Sequence, residues 1–258
     1  MNEEFQKEQL NDEELLRYSR QIFLPEVDIE GQIKLNQAHL VIVGVGGLGS
    51  LTAPLLSASG IGKLTLVDFD IVDISNLPRQ IFYREMDAGK LKVDCLADYI
   101  HAQNSHVKLE KVTDRLSQER FQELFEHADL VLDGTDNFST RHMINRACFA
   151  TKTPLLSAAV TQFSGQVILF DFQPLAPCYE CLYVDNASEE ENNCSESGVM
   201  GPAASLLASL QALEAQKFIL GMPVACQNTL LSLEMKSMAL HQAKLNHDNE
   251  CLVCGKSV

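Results

Sequence analysis

The chain has no tryptophan, and its 20 lysines and arginines face 35 aspartates and glutamates, a formal net charge of −15. So few cations argue against a nucleic-acid binder, because a phosphate backbone is held by clustered Lys and Arg. Long apolar runs are also missing: none approaches the ~18 residues that would suggest a membrane span. The opening segment, Met1 to Leu10, is polar and acidic rather than basic and then apolar. No signal peptide is therefore expected, and the cytoplasm is the expected location. Thiols stay reduced there, so the eight cysteines are not expected to form a disulfide framework. The 46% apolar and 21% charged content excludes global disorder.

What is present is an alternation of strand and helix patterns. Asn11, with Glu14 three residues on, predicts the start of a short helix on which Arg17, Arg20 and Gln21 share a face. Strands are expected at residues 40–43, 63–68, 107–112 and 130–133. Helices are expected at 50–59, 90–104, 117–127 and 138–151, the first closed by Gly60 and Gly62 and the third capped by Ser117. This is the spacing of βαβ units and predicts a parallel sheet covered on both faces. Later, strands at 155–160 and 166–172 precede a polar, acidic stretch at 185–197. A long Ala-, Ser- and Leu-rich helix at 199–220 is ended by Gly221 and Pro223, and one or two final strands fall within 229–245. One continuous domain is expected.

Gly44-Val45-Gly46-Gly47-Leu48-Gly49 matches G-x-G-x-x-G between a strand and a helix. Glycines let the backbone turn tightly and approach a phosphate, and the helix behind offers unpaired N–H groups and a positive dipole end. Asp68 ends the next strand, where a carboxylate accepts hydrogen bonds from ribose hydroxyls. Together these predict a Rossmann-like, doubly wound α/β fold that binds a nucleotide; tight strand–helix packing alone is the competing reading. The nucleotide need not be NAD, since no hydride-transfer partner is identifiable.

Basic residues are scarce, so those near the loop stand out. Ser75-Asn76-Leu77-Pro78-Arg79-Gln80 and Gly89-Lys90-Leu91-Lys92 follow the second strand. A guanidinium grips phosphate oxygens in a bidentate fork and a lysine approaches them as a point charge. Alternatively Arg79 pairs with an acid and Lys92 is a solvated helix residue. Asp133-Gly134-Thr135-Asp136-Asn137 sits at a strand's C-terminal end, where open α/β sheets bind ligands. An aspartate there suits magnesium on a triphosphate, or else Asp136 or Asn137 only caps the next helix.

Cys178-x-x-Cys181 and Cys251-x-x-Cys254 are separated by 69 residues. Two such pairs are expected to complete a closed, tetrahedral four-cysteine zinc site that would clip the chain's end onto the body, with an iron–sulfur cluster or redox dithiols as the competing readings. Cys95 and Cys148 fall in helical patterns and read as small core residues. Cys194 lies in the acidic stretch, either as an incidental surface thiol or in a chemical role; neighbouring carboxylates would raise its pKa.

In this order and spacing, these motifs resemble the MoeB, ThiF and HesA family, relatives of the ubiquitin-activating enzymes. The likeness runs nearly end to end, from Arg17-Tyr18-Ser19-Arg20-Gln21 through Gly198-Val199-Met200-Gly201-Pro202 to the last cysteine pair. It implies one adenylation domain spanning 1–258, with a helical arm (1–35), a nucleotide-binding core (36–175) and a zinc-clipped C-terminal part (176–258). The implied reaction is ATP-dependent adenylation of the C-terminal glycine of a small ubiquitin-like sulfur carrier ending in Gly-Gly. By resemblance Gly44, Gly46, Gly47 and Gly49 cradle phosphate, Asp68 holds ribose, and Ser75, Asn76, Arg79, Lys92 and Asn137 serve the nucleotide. Asp136 corresponds to the Mg2+ ligand. Arg20 corresponds to an arginine that reaches into the partner protomer's site, which implies a homodimer. Cys194 corresponds to a cysteine implicated in sulfur attachment in ThiF proteins. Two departures stand outside the assigned adenylation residues: Gly134 stands where a cysteine is frequent, and Thr161-Gln162-Phe163 where an arginine-containing segment is frequent, and the second bears on how the carrier tail is held. The segments around residues 15–32 and 178–199 resemble MoeB more than ThiF, so the molybdopterin carrier is preferred over the thiamin one. Sulfur is expected from a separate donor protein. A nicotinamide-dependent oxidoreductase and an inactive carrier-binding scaffold are the rival classes.

Overall fold

The computed structural model describes residues 9–185 and 198–255. The first helix, α1 (Asp12–Arg17), has the expected capping box: Asn11 accepts from the Glu14 N–H and Glu14 from the Asn11 N–H. It does not continue through Gln21. The chain breaks at Tyr18 and resumes as α2 (Ser19–Ile22), so Arg17 and Gln21 do not share one helix. The cause is tertiary. Tyr18 is 2% exposed, its hydroxyl accepts from Asn104 Nδ2 at 3.0 Å, and its ring crowds Gly60 so closely that a Cβ there would sit 2.7 Å from it. Arg17 instead donates to the Gln103 carbonyl, while Gln21 bonds Gln32 and the Ser59 carbonyl.

Beyond α3 (Asp28–Gln37), strand and helix alternate: β1 (His39–Val43), α4 (Gly49–Ala58), β2 (Lys63–Val67), α5 (Lys92–Gln103), β3 (Lys108–Val112), α6 (Gln118–Phe125), β4 (Leu130–Asp133) and α7 (Phe138–Thr151). Then come β5 (Leu155–Thr161), β6 (Ser164–Phe170), the short α8 (Tyr179–Leu182), α9 (Gly201–Leu220), β7 (Thr229–Glu234) and β8 (Ala239–Lys244). All eight strands form one sheet in the order β3-β2-β1-β4-β5-β6-β7-β8. The first five are parallel and the last three antiparallel. The expected mostly parallel, doubly wound sheet with a C-terminal extension is what the chain forms.

Because side chains alternate across a strand, β1 sends Leu40 and Ile42 to one core and Val41 and Val43 to another. The first core is covered by α4, α5 and α9, the second by α6 and α7. Helix α9 packs through small residues, with Ala204, Ala208, Ala212 and Ala215 all buried. Winding reverses direction between β1 and β4. That switch point opens a crevice at the strands' C-terminal ends, where open α/β sheets bind ligands. Among the described residues, no helix is long and apolar enough to cross a membrane.

Candidate active site

The crevice is a cavity of about 940 Å³. Four helices, α4, α5, α7 and α9, begin at its wall, through Gly47 and Leu48, Lys92, Asn137, and Val199 and Ala204 respectively. Their N-termini bring unpaired N–H groups and positive dipole ends to one space, the arrangement that holds phosphate.

The glycines divide by task. Gly44 has φ +83°, and a Cβ there would press on the Gly134 and Thr135 backbone at 3.1 Å. At Gly49 a Cβ would lie 2.0 Å from the Gly44 carbonyl oxygen, so no side chain fits. Gly49 therefore shapes the turn and does not line the cavity. Gly46 and Gly47 do line it, and a Cβ on either would meet nothing closer than 3.7 Å. Their bare backbone is what a phosphate could approach. Beside Gly46, the 2% exposed Gln80 carries an Oε1 with no hydrogen-bond partner among the described residues.

Asp68 stands at the end of β2. Its Oδ2 accepts from the Val45 N–H and its Oδ1 from the Asp70 N–H, both at 2.8 Å. A carboxylate has about four acceptor positions, so roughly two are left for ribose hydroxyls. Burial pushes its pKa up, against the pull of the Asp70 N–H, Lys92 and the Val45 N–H.

Lys92 opens α5 and is 6% exposed, not a solvated helix residue; its Nζ lies 3.0 Å from Asp70 Oδ2. Arg79 is half-buried above Gly47 and donates to the Ser75 carbonyl at 3.1 Å, with no acid in that bond. Asn76 lines the cavity too, whereas Ser75 is exposed and turned to Asp73. Arg20 is exposed on α2 and lies outside the lining.

On the β4 side, Asn137 caps α7: its Oδ1 accepts from the Thr140 N–H at 2.9 Å. Asp136 does not cap. It lines the cavity, is exposed, and forms no ion pair among the described residues. A buried network holds its loop. Asp133, 1% exposed, accepts from the Thr135 N–H and hydroxyl and from Ser157. Arg141 closes the other side by donating to the Thr135 carbonyl at 2.5 Å. One exposed carboxylate facing a phosphate-shaped space fits magnesium, which takes one or two carboxylates plus phosphate oxygens.

Sequence reading missed Asp70, Asp114, Arg115 and Arg141, which all line the cavity. Asp114 and Arg115 follow the C-terminal end of β3, so the strand-end rule that found Asp136 could have found them.

The two cysteine pairs meet in space. Cys178 and Cys251 Sγ are 3.6 Å apart, Cys181 and Cys254 Sγ 3.3 Å, and all four lie within 4.8 Å of one another. Zinc–sulfur bonds of ~2.3 Å in a tetrahedron put sulfurs roughly 3.8 Å apart, so the cluster fits that ion. Asn145 Nδ2 donates to Cys178 Sγ at 3.7 Å, a second layer that orients a ligand. Cys181 is pushed down to about 4, first by the hydrogen bond with Cys178, and so is inclined to the thiolate a metal needs. Cys95, Cys148 and Cys226 are buried in the core, apart from this cluster. Cys194 lies outside the described residues.

The ThiF family model matches residues 18–253. The chain is 38% identical over 251 residues to the molybdopterin-synthase adenylyltransferase of Escherichia coli, covering 96% of this chain and 99% of that protein. It is also 38% identical over 252 residues to the E. coli sulfur carrier protein ThiS adenylyltransferase, covering 96% and 98%. The crystal structure of E. coli MccB with ATP superposes with a TM-score of 0.78 at 26% identity, over 93% of this chain and 75% of that one. Fold and site thus define a nucleotide-binding enzyme of the adenylyltransferase class. The chain belongs to the ThiF family.

Proposed function

We propose that the protein adenylates the C-terminal glycine of a small ubiquitin-like sulfur carrier, using ATP and Mg2+. The observation that carries this reading is that Gly46, Gly47, Arg79, Lys92 and Asp136 face one cavity at the switch point. A dehydrogenase needs no such concentration of phosphate-directed groups.

The carrier's terminal carboxylate oxygen attacks the α-phosphorus of ATP. The bond to the β-phosphate oxygen breaks, pyrophosphate leaves with that electron pair, and an acyl-adenylate remains. Charge builds on the phosphate oxygens, so the enzyme's contribution is positioning and electrostatic stabilisation. Arg79 and Lys92 neutralise that charge, the glycine backbone and helix N-termini hold the phosphates, and Asp68 fixes the ribose. Asp136 would hold magnesium against the phosphates. Arg20 serves the site of the other protomer in a homodimer; its exposure, beside exposed Leu16, Phe23 and Leu24, supports this. The four-cysteine cluster holds a structural zinc.

The preferred carrier is the small subunit of molybdopterin synthase. The relatives that serve the two pathways are equally identical to this chain, so the preference rests on the segments around residues 15–32 and 178–199. A separate protein donates the sulfur.

ATP–pyrophosphate exchange tests this reading. It should require a carrier with an intact Gly-Gly end and run faster with the molybdopterin carrier than with the thiamin one. Exchange without any carrier, or none with either, counts against it. Tight NADH binding without ATP binding would favour an oxidoreductase.

A further inference from the structure

The cavity has two chemically different ends. Around the glycine loop it is polar and cationic. Along the segments that follow β2 and β3 it is lined by Phe69 and Leu116, which offer no phosphate contact. This second end lies between the segments leaving β2 and β3, neighbours in the sheet whose last residues, Val67 and Val112, are paired. Arg115 belongs here. Its guanidinium carbon sits 4.2 Å from the centre of the Phe69 ring, and both side chains line the cavity while partly open to solvent. The plane of an arginine resting on an aromatic ring is a ready stacking surface, since guanidinium groups pack on aromatic faces.

We propose that Arg115, supported by Phe69, is a nucleotide-binding residue that stacks on the base and so directs it into the β2–β3 end of the cavity. This rests on reading the cavity as an ATP site. With Asp68 fixing the ribose, the phosphates run to the glycine loop and the base has only the opposite end to enter. Its place after β3 marks Arg115 only as a strand-end residue; the pairing with Phe69 arises because the sheet sets β3 beside β2.

The test measures equilibrium binding of ATP, adenosine and inorganic tripolyphosphate to the full chain and to Arg115→Ala and Arg115→Lys. An exposed side chain leaves the fold intact, which melting temperature checks. Arg115→Ala should weaken ATP and adenosine by about five- to tenfold, the scale of one base stack, and leave tripolyphosphate unchanged. Arg115→Lys, which keeps the charge but not the plane, should recover less than half of the loss. Unchanged ATP affinity in Arg115→Ala overturns the proposal. So does an equal loss for tripolyphosphate, or full recovery with lysine, since either would make Arg115 a phosphate charge. Failure of the parent protein to bind ATP would instead overturn the ATP reading itself.

Discussion

Lys92 and Asp70 form an ion pair 3.0 Å long in which the lysine side chain is 7% exposed and the aspartate 53%. The carboxylate holds the ammonium at the cavity wall without enclosing it. Lys92→Ala should lower kcat/KM for pyrophosphate exchange by about 10²–10³-fold, the usual cost of one electrostatic stabiliser. Asp70→Asn should leave kcat near the parent value and lower KM for ATP a few-fold, because the freed charge meets the phosphates unshared. A rise in KM in that variant would mean that Asp70 itself binds substrate.

Arg79→Ala and Asp136→Asn should each abolish most of the turnover with little change in melting temperature. The Arg79 guanidinium bonds the Ser75 carbonyl from a half-buried position, and Asp136 is exposed, so neither is buried in the core. The two variants should separate in one respect: raising magnesium restores part of the Asp136→Asn rate and none of the Arg79→Ala rate.

Acid should inhibit through Asp68. Its pKa is raised, first by burial, and only the ionised carboxylate accepts two ribose hydroxyls besides its two backbone donors. ATP affinity measured against pH should therefore decline at a higher pH than an ordinary aspartate would give, and Asp68→Asn should lose that limb. Linkage gives stability the opposite sign. A carboxyl whose folded pKa lies above its unfolded one stabilises below the unfolded value, and that contribution is lost as pH rises through the folded value.

Metal analysis should find about one zinc per chain. Cys251→Ser and Cys254→Ser should release it and lower the melting temperature by on the order of 10 °C. Iron–sulfur cluster in the purified protein, or indifference to both changes, would refute a structural zinc.

Cys194→Ser should retain pyrophosphate exchange, because forming an acyl-adenylate requires no thiol. Loss of exchange would place that cysteine in the adenylation step.

Sequence made the glycine loop, the βα alternation and the four-cysteine set legible because each is local or carries its own spacing. Helix α7 falls on the expected residues 138–151, marked by Asn137 as cap. The break at Tyr18 was not legible, since it comes from contacts with Gly60 and Asn104, which lie far along the chain. Lys92 stands out by its nearness to the glycine loop, but its helix pattern gives no hint of its burial or of its pairing with Asp70. Arg141 was hidden for a related reason. The Thr135 carbonyl that it bonds is only six residues away, but the bond matters because Asp133 grips the same residue by its N–H and hydroxyl.

The cavity lining counts Arg79, Lys92, Arg115 and Arg141 against Asp68, Asp70, Asp114 and Asp136, an even balance within a chain of net charge −15. With no surplus of cations, the four converging helix ends add to Arg79 and Lys92 in attracting a triphosphate, and such dipoles act only over a turn or so. At a distance the protein repels the nucleotide that it holds on contact. Added salt screens that outer repulsion over about 8–10 Å near physiological strength, so it should speed nucleotide association, opposite to the slowing expected where a basic surface steers an anion.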